Sequence, residues 1–315
     1  MSSSSSSKRV VLLFAGQGAQ SVGMGRDLAG AFPDAAERFR QADEIFGFSL
    51  TGAMFDGPQE ELTRTSRCQP ALYVHGLVCL DLIKARVPNL EVAGAAGLSL
   101  GEFTAHAAAG TFDFETGLRL VAKRGLFMEE ATSATEGSMA AMIGGEEEAV
   151  RRVAEECDVD VANFNAPGQI VISGTKAGIT KALEISKENG IRIAKELDVA
   201  GAYHSRLMQS AQDKLATELA EVTLAEPTVP VICNFEARAV SEPDDIRRTL
   251  EAQVTGSVRW AESMAAFIDQ GETTFLELGP GGVLAGLMKR IDRAAKVISV
   301  EDVASLEAAV EALNA

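Results

Sequence analysis

A serine between two glycines, at the end of a short apolar run, is the most constraining feature of this chain. Apolar residues 92–96 lead into Gly97-Leu98-Ser99-Leu100-Gly101, and Ala-rich, helix-forming sequence follows. This is the G-x-S-x-G pattern of a nucleophile elbow in its strand-turn-helix context. The glycines permit a tight turn, and the helix N-terminus favours negative charge at the hydroxyl. The pattern predicts Ser99 as a nucleophile for acyl transfer; the alternative is a chance turn in a chain with 29 glycines.

The composition is that of an acidic globular protein. Its 315 residues, 46% of them hydrophobic, exceed a typical single domain and predict two folding units. No apolar stretch approaches the roughly 20 residues that a membrane-spanning helix needs, so we expect no membrane association. The apolar run at 10–15 is too short for a signal peptide and predicts a buried first strand. Serines at 2–7 predict a disordered leader.

Charge and cysteine usage restrict the partners and the compartment. The 29 Lys and Arg residues against 45 Asp and Glu residues give a net charge of −16, which argues against non-specific nucleic-acid binding. Cysteines occur at positions 68, 79, 157 and 233, without C-x-x-C or metal-ligand spacing. We therefore expect reduced thiols, a cytoplasmic location and no metal site.

The order of predicted elements indicates an α/β domain with an insertion. Apolar β-type runs alternate with helical stretches through the first 130 residues, which predicts a parallel sheet covered by helices. From residue 138 to residue 198 the order becomes β-α-β-β-α-β, the ferredoxin-like arrangement. A long helix predicted at 205–221 and strands predicted at 229–234 and 274–278 follow. We predict three segments: a disordered leader at 1–7, an α/β-hydrolase-like catalytic domain at 8–133 and 202–315, and a ferredoxin-like subdomain at 134–201.

The base for Ser99 can be sought among only three histidines. His106 lies seven residues beyond Ser99 on the same predicted helix, about 10 Å along its axis, and is too far away. His75 lies in an apolar run and is typical of a core histidine. His204 follows the last strand of the insertion, where the chain re-enters the main domain, and such junctions line clefts. His204 is the candidate base; the alternative is a helix N-terminal residue without chemistry.

Two further features fit acyl transfer. The loop Gly16-Gln-Gly-Ala-Gln20 follows the first strand, and its backbone N–H groups are suited to an oxyanion hole. Neither G-x-G-x-x-G nor G-x-x-x-x-G-K-[ST] is matched, which disfavours a phosphate site. Arg124 lies in a predicted helix and could recognise a carboxylate if it faces the cleft. The residues alone favour a solvated arginine, although its neighbours at 121 and 126–128 are expected to be buried.

Six motifs follow one another between about residue 10 and about residue 290. They are Phe14-Ala-Gly-Gln-Gly-Ala-Gln20, Gly97-Leu-Ser-Leu-Gly-Glu102, Lys123-Arg-Gly-Leu-Phe-Met128, Gly201-Ala-Tyr-His-Ser205, Gln253-Val-Thr-Gly-Ser-Val-Arg-Trp260 and Glu277-Leu-Gly-Pro-Gly-Gly-Val-Leu284. Together they resemble, with high specificity, the malonyl-CoA:acyl carrier protein transacylases of fatty-acid and polyketide synthesis.

The resemblance implies a role for each matching residue. It implies Ser99 as the acyl-accepting nucleophile, His204 as its base and Arg124 as the partner of the malonyl carboxylate. The oxyanion hole would be the backbone N–H groups of Gln17 and Leu100. Gln253 matches the residue whose main-chain carbonyl orients the histidine. The implied reaction is ping-pong transfer from malonyl-CoA to the phosphopantetheine thiol of an acyl carrier protein, without metal or redox cofactor.

The resemblance also implies an acidic carrier, which a chain of charge −16 must attract locally. Lys289, Arg290 and Arg206 are the candidate contacts, and we expect a monomer. The motifs leave open whether the carrier serves fatty-acid or polyketide synthesis.

The chain departs from the family pattern at several positions. Leu98 stands where many members have histidine, and Ala15 replaces a common proline. Thr255-Gly256-Ser257 replaces a usual Asn-Pro, so the loop after Gln253 is expected to differ in shape. Tyr203, where phenylalanine or serine is frequent, fits a small acyl group.

Two other functions remain open from the residues. A serine hydrolase or thioesterase would use Ser99 and His204 with water as acceptor and with an acid, for which Asp198 is the nearest candidate. The other alternative is a non-catalytic acyl-binding protein.

Overall fold

Two β-sheets organise the chain, which a computed structural model describes from residue 9 to residue 315. The serine-rich leader predicted at 1–7 lies outside the described residues. The strands are β1 (Arg9–Phe14), β2 (Glu91–Gly97), β3 (Gly137–Ile143), β4 (Asp160–Ala166), β5 (Gln169–Thr175), β6 (Ile193–Glu196), β7 (Val231–Ile232), β8 (Ala239–Val240), β9 (Thr274–Leu278) and β10 (Lys296–Val300).

Helices cover both sheets. They are α1 (Arg26–Ala31), α2 (Pro33–Phe46), α3 (Leu50–Phe55), α4 (Gln59–Thr63), α5 (Thr65–Arg86), α6 (Leu100–Ala108), α7 (Phe114–Ala134), α8 (Glu147–Glu156), α9 (Lys176–Ser186), α10 (Gln209–Ala220), α11 (Pro243–Ala252), α12 (Trp260–Asp269), α13 (Val283–Ile291) and α14 (Val303–Asn314), with 3₁₀ turns at Arg206–Met208 and Pro280–Gly282.

The larger sheet has six strands in the order β10-β9-β1-β2-β7-β8. Strands β10, β9, β1, β2 and β7 run parallel, and β1 at the centre is buried along nearly its whole length. The prediction of a parallel sheet is wrong at one edge, because β8 pairs antiparallel with β7. The reason is a tight turn after β7, with Ala237 at φ 52° and Cys233 N–H donating to Arg238 O, and a short turn can join only antiparallel strands.

The smaller sheet has four antiparallel strands in the order β4-β5-β3-β6. Along the chain its elements follow as β3, α8, β4, β5, α9 and β6. A separate apolar core, which includes Ala140, Val150 and Ile172, lies between this sheet and its helices. The loop after Gln253 is bonded to β4 of this sheet, since Val258 N–H donates to Ala162 O and Phe164 N–H donates to Val258 O.

Several local expectations need correction. The helix predicted at 205–221 begins with the 3₁₀ turn Arg206–Met208 and continues as α10. The strand predicted at 229–234 shortens to β7, because Pro230 cannot donate to a ladder and offers only its carbonyl to Ala95. Leu126, expected to be buried, is 45% exposed. It lies two positions from Arg124 and Met128, hence on the opposite face of α7.

Candidate active site

Ser99 occupies a strained turn between β2 and α6. Its backbone has φ 56° and ψ −105°, a conformation that L residues rarely adopt. The turn requires its two glycines, because a Cβ on Gly97 would lie 1.9 Å from the Gly101 carbonyl carbon, and a Cβ on Gly101 would lie 2.2 Å from Phe14 O. The Ser99 side chain does not cap α6, so its hydroxyl is available for other contacts.

His204 lies within hydrogen-bond distance of the Ser99 hydroxyl. The Ser99 hydroxyl donates to His204 Nε2 at 2.7 Å, and His204 Nδ1–H donates to the Gln253 main-chain carbonyl at 2.7 Å. A carbonyl can only accept, so the proton resides on Nδ1 and Nε2 is free to take one. Burial, reinforced by the Arg124 charge, lowers the pKa of His204 to about 4. The imidazole is therefore neutral at pH 7.

Arg124 lies inside the same site, not in solvent. Its Nη1 donates to Gln69 Oε1 at 2.7 Å, and its Nη2 donates to Gln253 Oε1 at 2.7 Å and to Ser99 Oγ at 3.1 Å. The side chain is 1% exposed and forms no ion pair within residues 9–315. Burial lowers the pKa of Arg124 to about 10, so the guanidinium stays positive at pH 7. A buried cation with only neutral partners is suited to an anionic ligand.

The loop after β1 lies against the Ser99 turn. A Cβ on Gly16 would approach Leu98 O to 2.5 Å, so only glycine permits this contact. The backbone N–H groups of Gln17 and Leu100 have no hydrogen-bond acceptor in the described part of the chain. The Gln17 side chain donates to Thr65 Oγ1 at 3.4 Å, and Thr65 in turn shares a 2.7 Å hydrogen bond with the Tyr203 hydroxyl.

Three further polar residues of the site were given no role from the sequence: Gln69, Glu102 and Asn234. Gln69 holds Arg124 from within α5. Asn234 accepts from the Ser99 N–H at 2.6 Å and donates to Gly97 O at 2.7 Å. Its place just beyond β7, at the carboxyl edge of a parallel sheet, is the one signal that points to it. Glu102 is the last residue of the motif that contains Ser99, but its hydrogen-bond partners, Asn234 and Gln253, are far along the chain.

The candidate carrier contacts differ in their surroundings. Lys289 and Arg290 are exposed in the last turn of α13 and have no ion pair among residues 9–315. Arg206 forms ion pairs with Asp158 and Asp160, so its charge is already compensated.

The remaining residues that the sequence analysis considered lie outside the Ser99–His204 pair. Asp198 is exposed and does not contact His204, whose Nδ1 is taken by Gln253 O. His75 and His106 are buried; His106 Nδ1 lies 3.0 Å from Thr111 Oγ1. The loop after Gln253 is held by Ser257, whose hydroxyl donates to Val161 O at 2.6 Å.

Residues 9–315 contain neither a cluster of metal-binding side chains nor a membrane-spanning helix. No group of three or more histidine, cysteine, aspartate or glutamate side chains is arranged there to hold a metal ion. No helix in this range is long and apolar enough to cross a bilayer. The four cysteines are unpaired and buried.

Comparison with known proteins decides the family. The model of the acyl transferase domain matches residues 11–309. The malonyl CoA-acyl carrier protein transacylase of Bacillus subtilis is 41% identical over 311 residues, 97% of this chain and 98% of the relative. The chain belongs to the malonyl CoA-acyl carrier protein transacylases. It is therefore an acyltransferase.

Solved structures of this family share the fold. The acyl carrier protein S-malonyltransferase of Vibrio cholerae has a TM-score of 0.92 and 38% identity, covering 96% of this chain and all of that one. A malonyl-transacylase solved in complex with a type II polyketide synthase acyl-carrier protein has a TM-score of 0.93 and 36% identity, covering 97% of this chain and all of that one. The α/β fold with its mixed sheet matches these structures.

Proposed function

We propose that this transacylase moves a malonyl group from malonyl-CoA to the phosphopantetheine thiol of an acyl carrier protein through an ester on Ser99. One observation carries the proposal: Ser99 Oγ lies 2.7 Å from the neutral base His204 and 3.1 Å from the buried guanidinium of Arg124. A dyad of this kind serves acyl transfer. The cation beside the nucleophile selects an acyl group that ends in a carboxylate.

In the first half-reaction, His204 Nε2 takes the Ser99 hydroxyl proton while Oγ attacks the malonyl thioester carbonyl. The N–H groups of Gln17 and Leu100, which have no acceptor in the described chain, would bind the oxyanion. Collapse of the tetrahedral intermediate breaks the C–S bond, and the proton on His204 passes to the CoA sulfur. The Gln253 carbonyl accepts from Nδ1–H and stabilises the transient imidazolium, the role that the aspartate carboxylate has in a Ser-His-Asp triad.

In the second half-reaction, the phosphopantetheine thiol of the carrier gives its proton to His204 and attacks the malonyl-serine ester. The ester C–O bond breaks, Ser99 recovers its proton, and malonyl-carrier protein leaves. Both halves are acid–base and nucleophilic chemistry, and no step calls on a metal or redox cofactor.

The two sheets also suggest how the chain is divided into structural units. We infer an α/β-hydrolase-like catalytic domain at 8–133 and 202–315, supported by the parallel strands around Ser99 and its left-handed backbone. A ferredoxin-like subdomain at 134–201 is supported by the strand order β4-β5-β3-β6. We further infer that the protein is a cytoplasmic monomer and that its carrier docks near Lys289 and Arg290.

Replacement of the dyad tests the chemistry. Ser99→Ala is expected to abolish the covalent malonyl adduct on incubation with malonyl-CoA, measured by intact-mass spectrometry. His204→Ala is expected to lower kcat by about 10²–10⁴-fold, the usual range for loss of a general base. Malonylation of the Ser99→Ala protein would contradict the assignment, and absence of an adduct on the parent protein would favour a non-catalytic acyl-binding role.

Replacement of Asp198 separates the transacylase from the hydrolase. Because Asp198 is exposed and His204 Nδ1 already donates to Gln253 O, Asp198→Asn is expected to leave kcat unchanged. The measurement compares transfer to carrier with hydrolysis of malonyl-CoA in both proteins. A large loss of kcat in Asp198→Asn would favour a Ser-His-Asp hydrolase.

A further inference from the structure

Ser99 and Glu102 have the spacing of a helix capping box, but neither side chain caps α6. In a capping box the N-cap serine accepts from the third helical residue, and the glutamate reaches back to the N-cap N–H. Here Ser99 makes no side-chain cap, and its N–H donates to Asn234 Oδ1 instead. The Glu102 carboxylate is therefore directed away from the helix terminus that its position would normally stabilise.

Glu102 instead joins two distant segments of the chain. Its Oε2 accepts from the Asn234 backbone N–H at 2.9 Å and from Gln253 Nε2 at 3.1 Å. All three residues are fully buried, and Glu102 Oε1 has no hydrogen-bond partner among residues 9–315. Burying a carboxyl group with one oxygen left without a partner costs folding free energy that an apolar side chain would avoid.

The two segments that Glu102 joins hold different parts of the catalytic site. Through its side chain, Asn234 connects the Gly97 carbonyl with the Ser99 N–H and so spans the strained turn. Gln253 holds His204 with its main-chain carbonyl and Arg124 with its side-chain oxygen. Its amide orientation follows, because Oε1 must face the guanidinium and Nε2 must face the Glu102 carboxylate and Ser99 O.

We propose that Glu102 is a positioning residue for acyl transfer, which fixes Gln253, and with it His204 and Arg124, relative to the Asn234 side chain that holds Ser99. This inference rests on the proposed function, since it concerns the same site. Its consequence is specific: loss of Glu102 disturbs both the nucleophile–base pair and the carboxylate-binding guanidinium, whereas loss of Asn234 disturbs only the nucleophile.

The test measures the single-turnover rate of Ser99 acylation with malonyl-CoA and with acetyl-CoA, per titrated active site. Glu102→Ala is expected to slow malonyl transfer by about 10–100-fold, the range for outer residues that orient a reacting group. Acetyl transfer should fall less, because an acetyl group has no carboxylate for Arg124 to bind. Glu102→Gln is expected to remain within about 5-fold of the parent, since its amide oxygen can accept both hydrogen bonds.

Glu277→Ala is the matched control. Glu277 is as buried as Glu102 and accepts hydrogen bonds from Leu284 N, Ala285 N and Ser299 Oγ, none of them in the catalytic site. Glu277→Ala should lower the melting temperature but leave the acylation rate per active site unchanged. Equal rates per site in Glu102→Ala and Glu277→Ala would overturn the inference, as would a Glu102→Gln protein as slow as Glu102→Ala.

Asn234→Ala provides a second readout if Glu102→Ala does not fold. It is expected to slow malonyl and acetyl transfer by the same factor, and an altered malonyl-to-acetyl ratio would overturn the division of roles. A parent protein that forms no ester on Ser99 would remove the proposed function itself. A parent that is acylated normally, with Glu102→Ala equally fast, would remove only this inference.

Discussion

At the scale of single residues, Arg124 acts on both members of the dyad. Its Nη2 donates to Ser99 Oγ at 3.1 Å, where it favours negative charge on the nucleophile. Burial is the main cause of the low pKa of His204, and the positive charge of Arg124 lowers this pKa further. The guanidinium thus disfavours a second cation in the site and favours an anion, which in the proposed reaction is the malonyl carboxylate.

Arg124→Ala tests this role. A charge-assisted hydrogen bond is worth about 1.5–3 kcal/mol, so kcat/KM for malonyl-CoA is expected to fall roughly 10- to 10³-fold. Acetyl-CoA loses only the contact of Arg124 with Ser99 and no carboxylate partner, so its kcat/KM should fall much less or rise, and the malonyl-to-acetyl ratio collapses. The ratio is measured for parent and variant with the same carrier. Equal proportional losses on both donors would mean that Arg124 supports folding or binds CoA.

Arg247→Ala is a suitable control for that experiment. Arg247 donates to the backbone carbonyls of Leu219 and Val222 and pairs with Asp244, so its role is structural. Its replacement is expected to lower stability and leave the malonyl-to-acetyl ratio unchanged.

Residue types and spacing predicted part of this site. Ser99 follows from its glycines, and His204 follows by elimination among three histidines. The histidine-orienting role of Gln253 could come only from family resemblance, because a main-chain carbonyl leaves no mark on residue type. Glu102 and Asn234 are 132 positions apart in the chain, and only the folded sheet brings them into contact.

At the scale of elements, α13 ends in two cations that form no ion pair within residues 9–315. Lys289 and Arg290 lie in its last turn, where cations also interact favourably with the helix dipole. Glu277 accepts from the Leu284 and Ala285 N–H groups near the start of the same helix, which fixes α13 to β9. Within a Debye length of about 8 Å, local positive charge outweighs the net charge of the chain for an approaching acidic carrier.

Lys289→Glu/Arg290→Glu is expected to raise KM for the carrier and to spare acylation by malonyl-CoA. The control is Lys84→Glu/Lys187→Glu, which changes the net charge equally and reverses two exposed lysines, at the ends of α5 and α9, that lack ion pairs in the described chain. Both half-reactions are measured by stopped assays at physiological salt. Equal carrier KM values in the two variants would remove α13 from the carrier interface.

Helices and strands with a clear hydrophobic periodicity were predicted well, and very short strands were not. Strand β9 lies at the predicted residues 274–278, and the six elements from β3 to β6 follow in the predicted order. Strand β8 has only two residues, Ala239 and Val240, too few to display an alternation of two. Its antiparallel pairing depends on the turn after β7 and could not be foreseen from pattern.

At the scale of the whole molecule, all three histidines are buried and neutral at pH 7. Burial lowers the pKa to about 4 for His75, about 3 for His106 and about 4 for His204, each against an ordinary value of 6.5. As the pH falls below 6.5, the unfolded chain binds protons at these groups before the native protein does. The free energy of unfolding therefore decreases as the pH falls from about 6.5 to about 4, by up to about 1.4 kcal/mol per pH unit for each histidine.

His106→Gln isolates one of these contributions. Burial alone accounts for the low pKa of His106, and no charged partner complicates its titration. The variant is expected to show a slope of unfolding free energy against pH that is smaller by about 1.4 kcal/mol per unit between pH 4.5 and 6. Burial raises the pKa of Glu102 to about 8, which produces a slope of opposite sign, but in parent and variant alike. Urea unfolding at each pH gives both slopes, and parallel curves would mean that native His106 binds its proton as readily as the unfolded chain does.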